Sequence, residues 1–170
     1  RSLWENGTRV PLIVAGPGVA QAEACKKPVQ LLDVYPTLLE MAGLDADPKL
    51  EGHSLVPLLE NSQADWPHLS RTSFGPGNYA IVSEHFRYIQ YNDGSEEFYD
   101  RSKDPHEWKN MIENPELATL IEQHRAQIPQ QRHEVLGQSS TGHKTFEASE
   151  AVRRGEPIPG DEEATKKKTR

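Results

Sequence analysis

The apolar positions change their spacing several times along the chain, and each change marks a different predicted element. Residues 10–14 (Val-Pro-Leu-Ile-Val) form a short, nearly unbroken apolar run that ends at Ala-Gly-Pro-Gly in positions 15–18. A run of this length, bounded by turn residues, is typical of a strand that is buried on both faces. The sequence therefore predicts a buried strand very near the start of the chain. Such a strand needs neighbours, so we expect the chain to be the back end of a longer protein.

A second spacing, typical of an amphipathic helix, covers residues 31–42. One apolar stripe is formed by Leu31, Val34, Tyr35, Leu38, Leu39 and Ala42. Asp33 can cap the start of this helix, Pro36 falls in the first turn, where a missing N–H costs little, and Gly43 is placed to end it. A strand, a turn and an amphipathic helix predict an α/β layer in which the helix packs on a sheet.

Alternating spacing appears between residues 79 and 99. Residues 79–85 and 86–91 predict two strands, Asn92-Asp93-Gly94 a hairpin turn, and residues 96–99 the returning strand. Asn114-Pro115 then opens a predicted helix that continues to about Ile128, with a narrow apolar stripe that places it on the surface. This part of the chain is predicted to be a small antiparallel meander with a helix.

Composition and charge limit the possible domain organisations and the possible partners. Only 35% of the 170 residues are apolar, and after about Gln130 they lose any period, which predicts a disordered or loosely attached tail over residues 129–170. A net charge of -7 argues against a nucleic-acid-binding surface. No stretch approaches the roughly 20 apolar residues of a membrane span. We therefore expect no nucleic acid partner and no membrane span.

No complete catalytic set can be assembled from these residues. Cys25, beside two lysines, could be an activated nucleophile, although an ordinary loop cysteine is the favoured alternative. The seven histidines lack metal-binding spacing, and we expect each of them at the surface or in the hairpin. The glycine-rich loop of residues 74–79 would let backbone approach a ligand, and Asn78 and Tyr79 could supply hydrogen bonds. A plain turn into the next strand is the alternative for that loop.

Four segments, in this order, carry a family resemblance. They are residues 3–14 (Leu-Trp-Glu, then Thr-Arg-Val-Pro-Leu-Ile-Val), 33–44 (Asp-Val-Tyr-Pro-Thr-Leu-Leu, then Ala-Gly-Leu), 52–59 (Gly-His-Ser-Leu, then Pro-Leu-Leu) and 87–110 (Arg-Tyr-Ile, Asp-Gly-Ser-Glu-Glu-Phe-Tyr-Asp and Asp-Pro-His-Glu-Trp). Together they resemble the C-terminal portion of the sulfatase family, within the alkaline-phosphatase-like superfold. The iduronate-sulfatase-like branch is the most similar in its motifs.

The resemblance implies hydrolysis of sulfate esters, with sulfated sugars as the substrate. In the family this chemistry uses a formylglycine and a calcium ion held by aspartates. Cys25 does not fit the formylglycine motif, because Lys27 and Val29 stand where Pro or Ala and then Arg are required. The resemblance places the calcium ligands and a sulfate-contacting lysine ahead of this chain. We therefore expect no catalytic residue and no metal ligand here, an inactive chain on its own, and Asn78 and Tyr79 as substrate contacts.

The predicted fold class is α/β, as a C-terminal fragment of an alkaline-phosphatase-like fold with a small antiparallel sheet and helix. By resemblance, residues 1–70 end the central α/β domain, residues 71–128 form the C-terminal sheet and helix, and residues 129–170 form the tail. Two alternatives are a non-catalytic module that binds anionic glycans and a phosphodiesterase or phosphatase of the same superfold. Family analogy suggests export to the periplasm or outside the cell. An unpaired strand at residues 8–14 would also promote self-association.

Overall fold

A computed structural model describes residues 2–20 and 23–130, so the predicted tail lies outside the described residues except for positions 129 and 130. Three short helices come first, then four strands, then a last helix. The elements are α1 (Glu5–Thr8), a 3-10 turn (Leu31–Asp33), α2 (Val34–Met41), α3 (Val56–Glu60), β1 (Ser70–Ser73), β2 (Tyr79–Val82), β3 (Phe86–Gln90), β4 (Glu96–Asp100), a second 3-10 turn (Pro115–Leu117) and α4 (Ala118–Arg125).

The four strands form one antiparallel sheet in the order β1-β2-β3-β4, which confirms the predicted meander and adds β1, a strand that the spacing did not reveal. Between β3 and β4 the Gly94 N–H donates to the Tyr91 carbonyl over 3.1 Å, and Gly94 has a φ of 85°. This is the left-handed conformation that the predicted hairpin turn requires. A chain reversal of only a few residues therefore sets the register of the two strands.

Helix α4 covers one face of the sheet. Ile81, Tyr88 and Phe98 stand side by side in the strand register, are 0–1% exposed, and pack with Ile121 of the helix. His124, one turn further along, is only 3% exposed. Its Nδ1 lies 2.8 Å from the Leu120 carbonyl and its Nε2 lies 3.0 Å from Ser83 Oγ. The prediction of a surface position is wrong for this histidine, because its two ring nitrogens find partners inside the protein.

Residues 10–14 do not form the predicted strand. Their backbone is irregular, and Val10 and Ile13 are 59% and 87% exposed. A strand is stabilised by hydrogen bonds to a neighbouring strand. Among the described residues all pairing lies within the sheet of β1 to β4, and none of it involves this run. The prediction of a buried strand is therefore wrong for the described structure, because the apolar composition could not supply a partner strand.

Helix α2 buries its polar side, which corrects the prediction that its apolar stripe packs on a sheet. Tyr35 and Leu38 are each 57% exposed, whereas Asp33 and Thr37 are 2% and 5% exposed. The Asp33 carboxylate accepts hydrogen bonds from the Gln30 N–H (2.8 Å) and from the backbone N–H of residue 53 (2.9 Å). Hydrogen bonds therefore dock the start of this helix on the following loop, while its stripe faces outward in the described structure.

Gly52 passes too close to Leu32 for any side chain to fit. A Cβ added to Gly52 would lie 2.0 Å from the Leu32 carbonyl oxygen and 2.9 Å from the Asp33 nitrogen. We expect Gly52→Ala to push the two backbones apart and to lower the free energy of unfolding by about 1–3 kcal/mol or more. Urea unfolding followed by circular dichroism measures the change. Gly16→Ala is the matched control, because nothing lies within 4 Å of its added Cβ. Equal midpoints for the two variants would contradict the steric argument.

Stability should fall at mildly acidic pH through His124. Burial lowers the pKa of His124 below its ordinary value of 6.5. The unfolded chain therefore binds more protons as the pH drops through 6.5, and the free energy of unfolding decreases with it. His124→Gln should show a smaller loss of stability between about pH 7 and pH 5. His85→Gln, at an exposed position, should retain the loss seen in the unmodified chain. Urea midpoints at the two pH values test this, and identical pH profiles for all three proteins would refute it.

Candidate functional site

The face of the sheet opposite α4 is covered by the segment Leu3–Thr8. Leu3 is 3% exposed and packs with Ala80, Ile89 and Tyr99, which the strand register places on this face. The burial of Leu3 is apolar and nondirectional, so it holds the segment against the sheet but does not define its orientation. Directional contacts come from a group of charged residues beside it.

Arg87 of β3 connects the sheet to this segment. The residue is 1% exposed, and its guanidinium donates to Glu107 Oε1 and Glu5 Oε2, each over 2.6 Å. It also donates to the Leu3 carbonyl (2.8 Å) and to Thr8 Oγ1 (3.1 Å). A buried charge is tolerated only when it is paired and hydrogen-bonded. Four such bonds meet that condition here.

A second arginine completes what we call the ion cluster, which consists of Glu5, Arg87, Arg101 and Glu107. The Arg101 guanidinium donates to Glu5 Oε1 over 3.0 Å, so each oxygen of the Glu5 carboxylate is bonded to a different arginine. The backbone N–H of Glu5 donates in turn to Glu107 Oε2 over 2.8 Å. The cluster therefore joins the Leu3–Thr8 segment to β3 and to the turn after β4.

Glu107 reaches the cluster from a left-handed backbone conformation with a φ of 56°. This conformation costs a residue with a side chain on the order of 1 kcal/mol. The turn around it is braced by Asp104, whose Oδ2 accepts a hydrogen bond from the Lys109 N–H over 2.8 Å. The ion pair with Arg87 offsets the cost of the backbone conformation. Asp104 therefore closes the turn that positions Glu107.

The predicted substrate contacts, Asn78 and Tyr79, lie where the glycine-rich loop enters β2. The Asn78 side chain accepts a hydrogen bond from the Asn92 N–H and donates one to the Pro76 carbonyl, both over 3.2 Å. Tyr79 is 8% exposed and pairs with Ser73 and with a residue of β3 in the sheet. In this arrangement Asn78 ties the loop to the hairpin turn. A substrate contact by either residue stays a prediction.

Glu97 organises the aromatic side chains near the Leu3–Thr8 segment. The Trp4 indole Nε1 donates to Glu97 Oε2 over 2.6 Å. Burial, reinforced by the charge of Glu97, raises the pKa of Tyr91 to about 12 and also raises the pKa of Tyr99. Both phenols therefore stay protonated near neutral pH. They can donate hydrogen bonds but cannot act as bases there.

Cys25 does not sit in an activating environment. It is exposed, and its Sγ lies 3.6 Å from the Ser62 carbonyl oxygen. The neighbouring Lys27 directs its Nζ to Glu84 Oε2 over 2.8 Å instead. These contacts support the interpretation of Cys25 as a loop cysteine.

The described residues do not fit a metal ion of the kind that the family resemblance implies. None of their His, Cys, Asp and Glu side chains come together in groups of three or more that could hold one. Within residues 2–20 and 23–130, no helix combines the length and apolar character needed to cross a membrane. The sheet face opposite α4 therefore offers a braced support and a surface.

Sequence reasoning missed the ion cluster, although its members lie in the quoted motifs. Arg87 is separated by 20 residues from Glu107 and by 82 residues from Glu5. Neither separation produces a local spacing signal. The one available signal was an arginine between Phe86 and Tyr88 in a predicted strand, since a buried arginine needs an acidic partner.

The chain matches the family described as N-sulphoglucosamine sulphohydrolase, C-terminal, over residues 1–134. It is 40% identical over 128 residues to a sulfatase of Formosa agariphila, in an alignment that covers 75% of this chain and 25% of that protein. It is 34% identical over 140 residues to a Delta 4,5-hexuronate-2-O-sulfatase of Bacteroides thetaiotaomicron, covering 74% of this chain and 28% of that protein.

The fold is similar to that of a solved 2-O GAG sulfatase. The TM-score is 0.53 and the sequence identity 28%, over 66% of this chain and 27% of the other. With coverage of 25% and 28% of the two curated relatives, the chain spans about a quarter of their length.

Removing one partner from the ion cluster should be strongly destabilising. Glu107→Gln leaves the buried Arg87 guanidinium short of one carboxylate, and we expect the free energy of unfolding to fall by about 3–5 kcal/mol. Glu122→Gln is the matched control, because the Glu122 side chain is 66% exposed and forms a surface pair with Arg125. That change should cost about 0–1 kcal/mol. Chemical unfolding of both variants provides the comparison. Similar losses of unfolding free energy would show that the ion cluster contributes no more to stability than a surface ion pair does.

Proposed function

Because the chain belongs to the sulfatase family, matching its C-terminal portion, we propose that it is the C-terminal part of a longer enzyme that hydrolyses sulfate esters. The predicted family resemblance and the predicted fold class are confirmed by the same findings. The observation that carries the proposal is the match over residues 1–134, since it includes the Leu3–Thr8 segment, the sheet and α4 in one continuous alignment.

We propose a sulfated carbohydrate as the substrate class. Among the relatives, one protein is a hexuronate-2-O-sulfatase and another is a 2-O GAG sulfatase, and both names describe sulfate on sugar. These names belong to those proteins, so they support the class of substrate here and leave the linkage position open. Export from the cytoplasm, by family analogy, is part of the same proposal.

The reactive groups are proposed to lie in the part of the enzyme that this chain does not cover. A sulfatase uses a formylglycine and a calcium ion by family resemblance. The described residues contain no metal-holding group, and Cys25 lacks the formylglycine motif. We assign a positioning role to this chain instead, in which the ion cluster holds the Leu3–Thr8 segment on the sheet. Asn78, on the glycine-rich loop, and Tyr79, the first residue of β2, are retained as proposed substrate contacts.

Two exposed apolar surfaces support the proposal of a longer protein. Ile13 is 87% exposed in the run that was predicted to be a strand, and Leu31 at the start of the α2 stripe is 73% exposed. Exposed apolar surface of this kind marks a contact site. We propose that the remainder of the enzyme covers both surfaces.

The proposal predicts a division of activity between the chain and the longer polypeptide. The 170-residue chain should not hydrolyse an aryl sulfate, with or without added calcium, because Cys25 lacks the formylglycine motif and the described residues hold no metal-binding group. The longer polypeptide should hydrolyse aryl sulfate and a sulfated disaccharide, measured by sulfate release. An aryl phosphate serves as the control for a phosphatase of the same superfold. Calcium-dependent turnover by the short chain would contradict the division, and a longer polypeptide that cleaves only the phosphate would contradict the sulfatase assignment.

A further inference from the structure

Two aromatic rings are stacked on the turn that follows β4. The Trp108 side chain is 84% exposed, and its ring lies parallel to that of His106, with 4.9 Å between the centroids and 21° between the planes. Tryptophan is on average a well-buried residue. An indole presented this openly, beside a second flat ring, is a common feature of binding surfaces.

The stacked rings rest on a rigid support. Glu107, the residue between them, is 8% exposed and bonded to Arg87 and to the Glu5 N–H in the ion cluster. The hydrogen bond from the Lys109 N–H to Asp104 closes the same turn. Anchoring the middle residue inward leaves its two neighbours outside. A surface that is already ordered loses little conformational entropy on binding, which favours affinity.

Trp4 is attached to the same support. The peptide N–H that follows Trp4 is the one that donates to Glu107, and the Trp4 side chain is 47% exposed. Its indole nitrogen is held by Glu97, so the ring orientation is constrained. We refer to Trp4, His106 and Trp108 as the aromatic platform. All three side chains are tied, through the backbone, to one buried carboxylate.

The charge exposed around this turn is basic, although the chain as a whole carries -7. Lys103 and Lys109 are exposed, and the Lys103 side chain remains 85% exposed in its pair with Asp100. The acidic residues Asp100 and Glu107 are 4% and 8% exposed, and both are engaged inside the protein. Asp104, the remaining carboxylate of this turn, is half-buried and accepts a hydrogen bond from the Lys109 N–H, so the exposed charges of residues 101–109 are the two lysines.

We propose that the aromatic platform is an accessory binding site for a sulfated glycan. Flat aromatic rings can pack against the apolar C–H faces of sugars, and the two positively charged lysines can attract negatively charged sulfate groups. The site would hold part of a glycan chain outside the reactive centre. This inference rests on the proposed function for the class of ligand, but it concerns a surface to which that function assigns no role.

Binding of a sulfated chondroitin tetrasaccharide to the 170-residue chain tests the site, with tryptophan fluorescence and calorimetry as readouts. Trp108→Ala should weaken binding about tenfold or more, as loss of a central aromatic contact does. Trp108→Phe keeps a flat ring and should retain most of the affinity, whereas Trp108→Leu keeps apolar area alone and should resemble the alanine variant. Tyr35→Ala removes an exposed aromatic residue from α2 and is the matched control, with an unchanged Kd expected.

The charge contribution is tested separately. Lys103→Gln combined with Lys109→Gln should weaken binding several-fold and reduce its dependence on salt, because exposed charges are screened by added ions. Lys49→Gln, at another exposed lysine, should leave the affinity and the salt dependence unchanged. The desulfated tetrasaccharide should bind the unmodified chain more weakly than the sulfated one.

Several results would overturn the site. They are the absence of tetrasaccharide binding, equal affinities for Trp108→Ala and the unmodified chain, or equal affinities for the leucine and phenylalanine variants. Protection of Trp108 from iodide quenching in the glycan-free longer polypeptide would show instead that protein covers the platform. Binding does not require turnover, so the two proposals fail separately. A longer polypeptide that binds the glycan but releases no sulfate would contradict only the proposed function, and the reverse result would contradict only the platform.

Discussion

The buried charge of Arg87 is the constraint on which the arrangement of this protein depends. A guanidinium inside the sheet would be strongly unfavourable if it were unpaired, so the fold has to bring acidic groups to it. Glu107 does so from a strained backbone conformation, and Glu5 does so from a segment 82 residues away. The turn after β4 and the Leu3–Thr8 segment thereby obtain defined positions. The ion cluster thus fixes α1 and the turn after β4 relative to the sheet.

The two faces of the sheet are stabilised by different physics. On one face α4 covers an apolar core around Tyr88 and Phe98, and the burial of apolar side chains there provides the stability. On the other face Leu3 supplies a small apolar contact, and directional ion pairs provide the rest. Apolar packing tolerates sliding, whereas bonded ion pairs specify orientation. A face that must present a segment and a turn in fixed positions is better served by the second kind of contact.

Local signals predicted the local structure well and failed for contacts between distant residues. The Asn92-Asp93-Gly94 turn and the helix that ends before Gly43 depend on backbone preferences of a few residues, and both were predicted correctly. Residues 10–14 read as a strand, but a strand exists only with a partner, and no spacing rule supplies one. The predicted site shows the same limit. Asn78 and Tyr79 were chosen for their loop, while Arg87 was overlooked because its partners are far along the chain.

The exposed apolar residues lie in a different part of the chain from the sheet and its core. The residues from β1 to α4 bury apolar side chains against one another. In contrast, Ile13 of residues 10–14 and Leu38 of the α2 stripe are exposed to solvent. The alignments cover only 25% and 28% of the two relatives, which therefore have additional chain that can cover such surfaces. If that remainder carries the reactive groups, as proposed, then the sheet of this chain has a supporting role. It holds the Leu3–Thr8 segment and the aromatic platform in place through contacts that do not depend on the reactive centre.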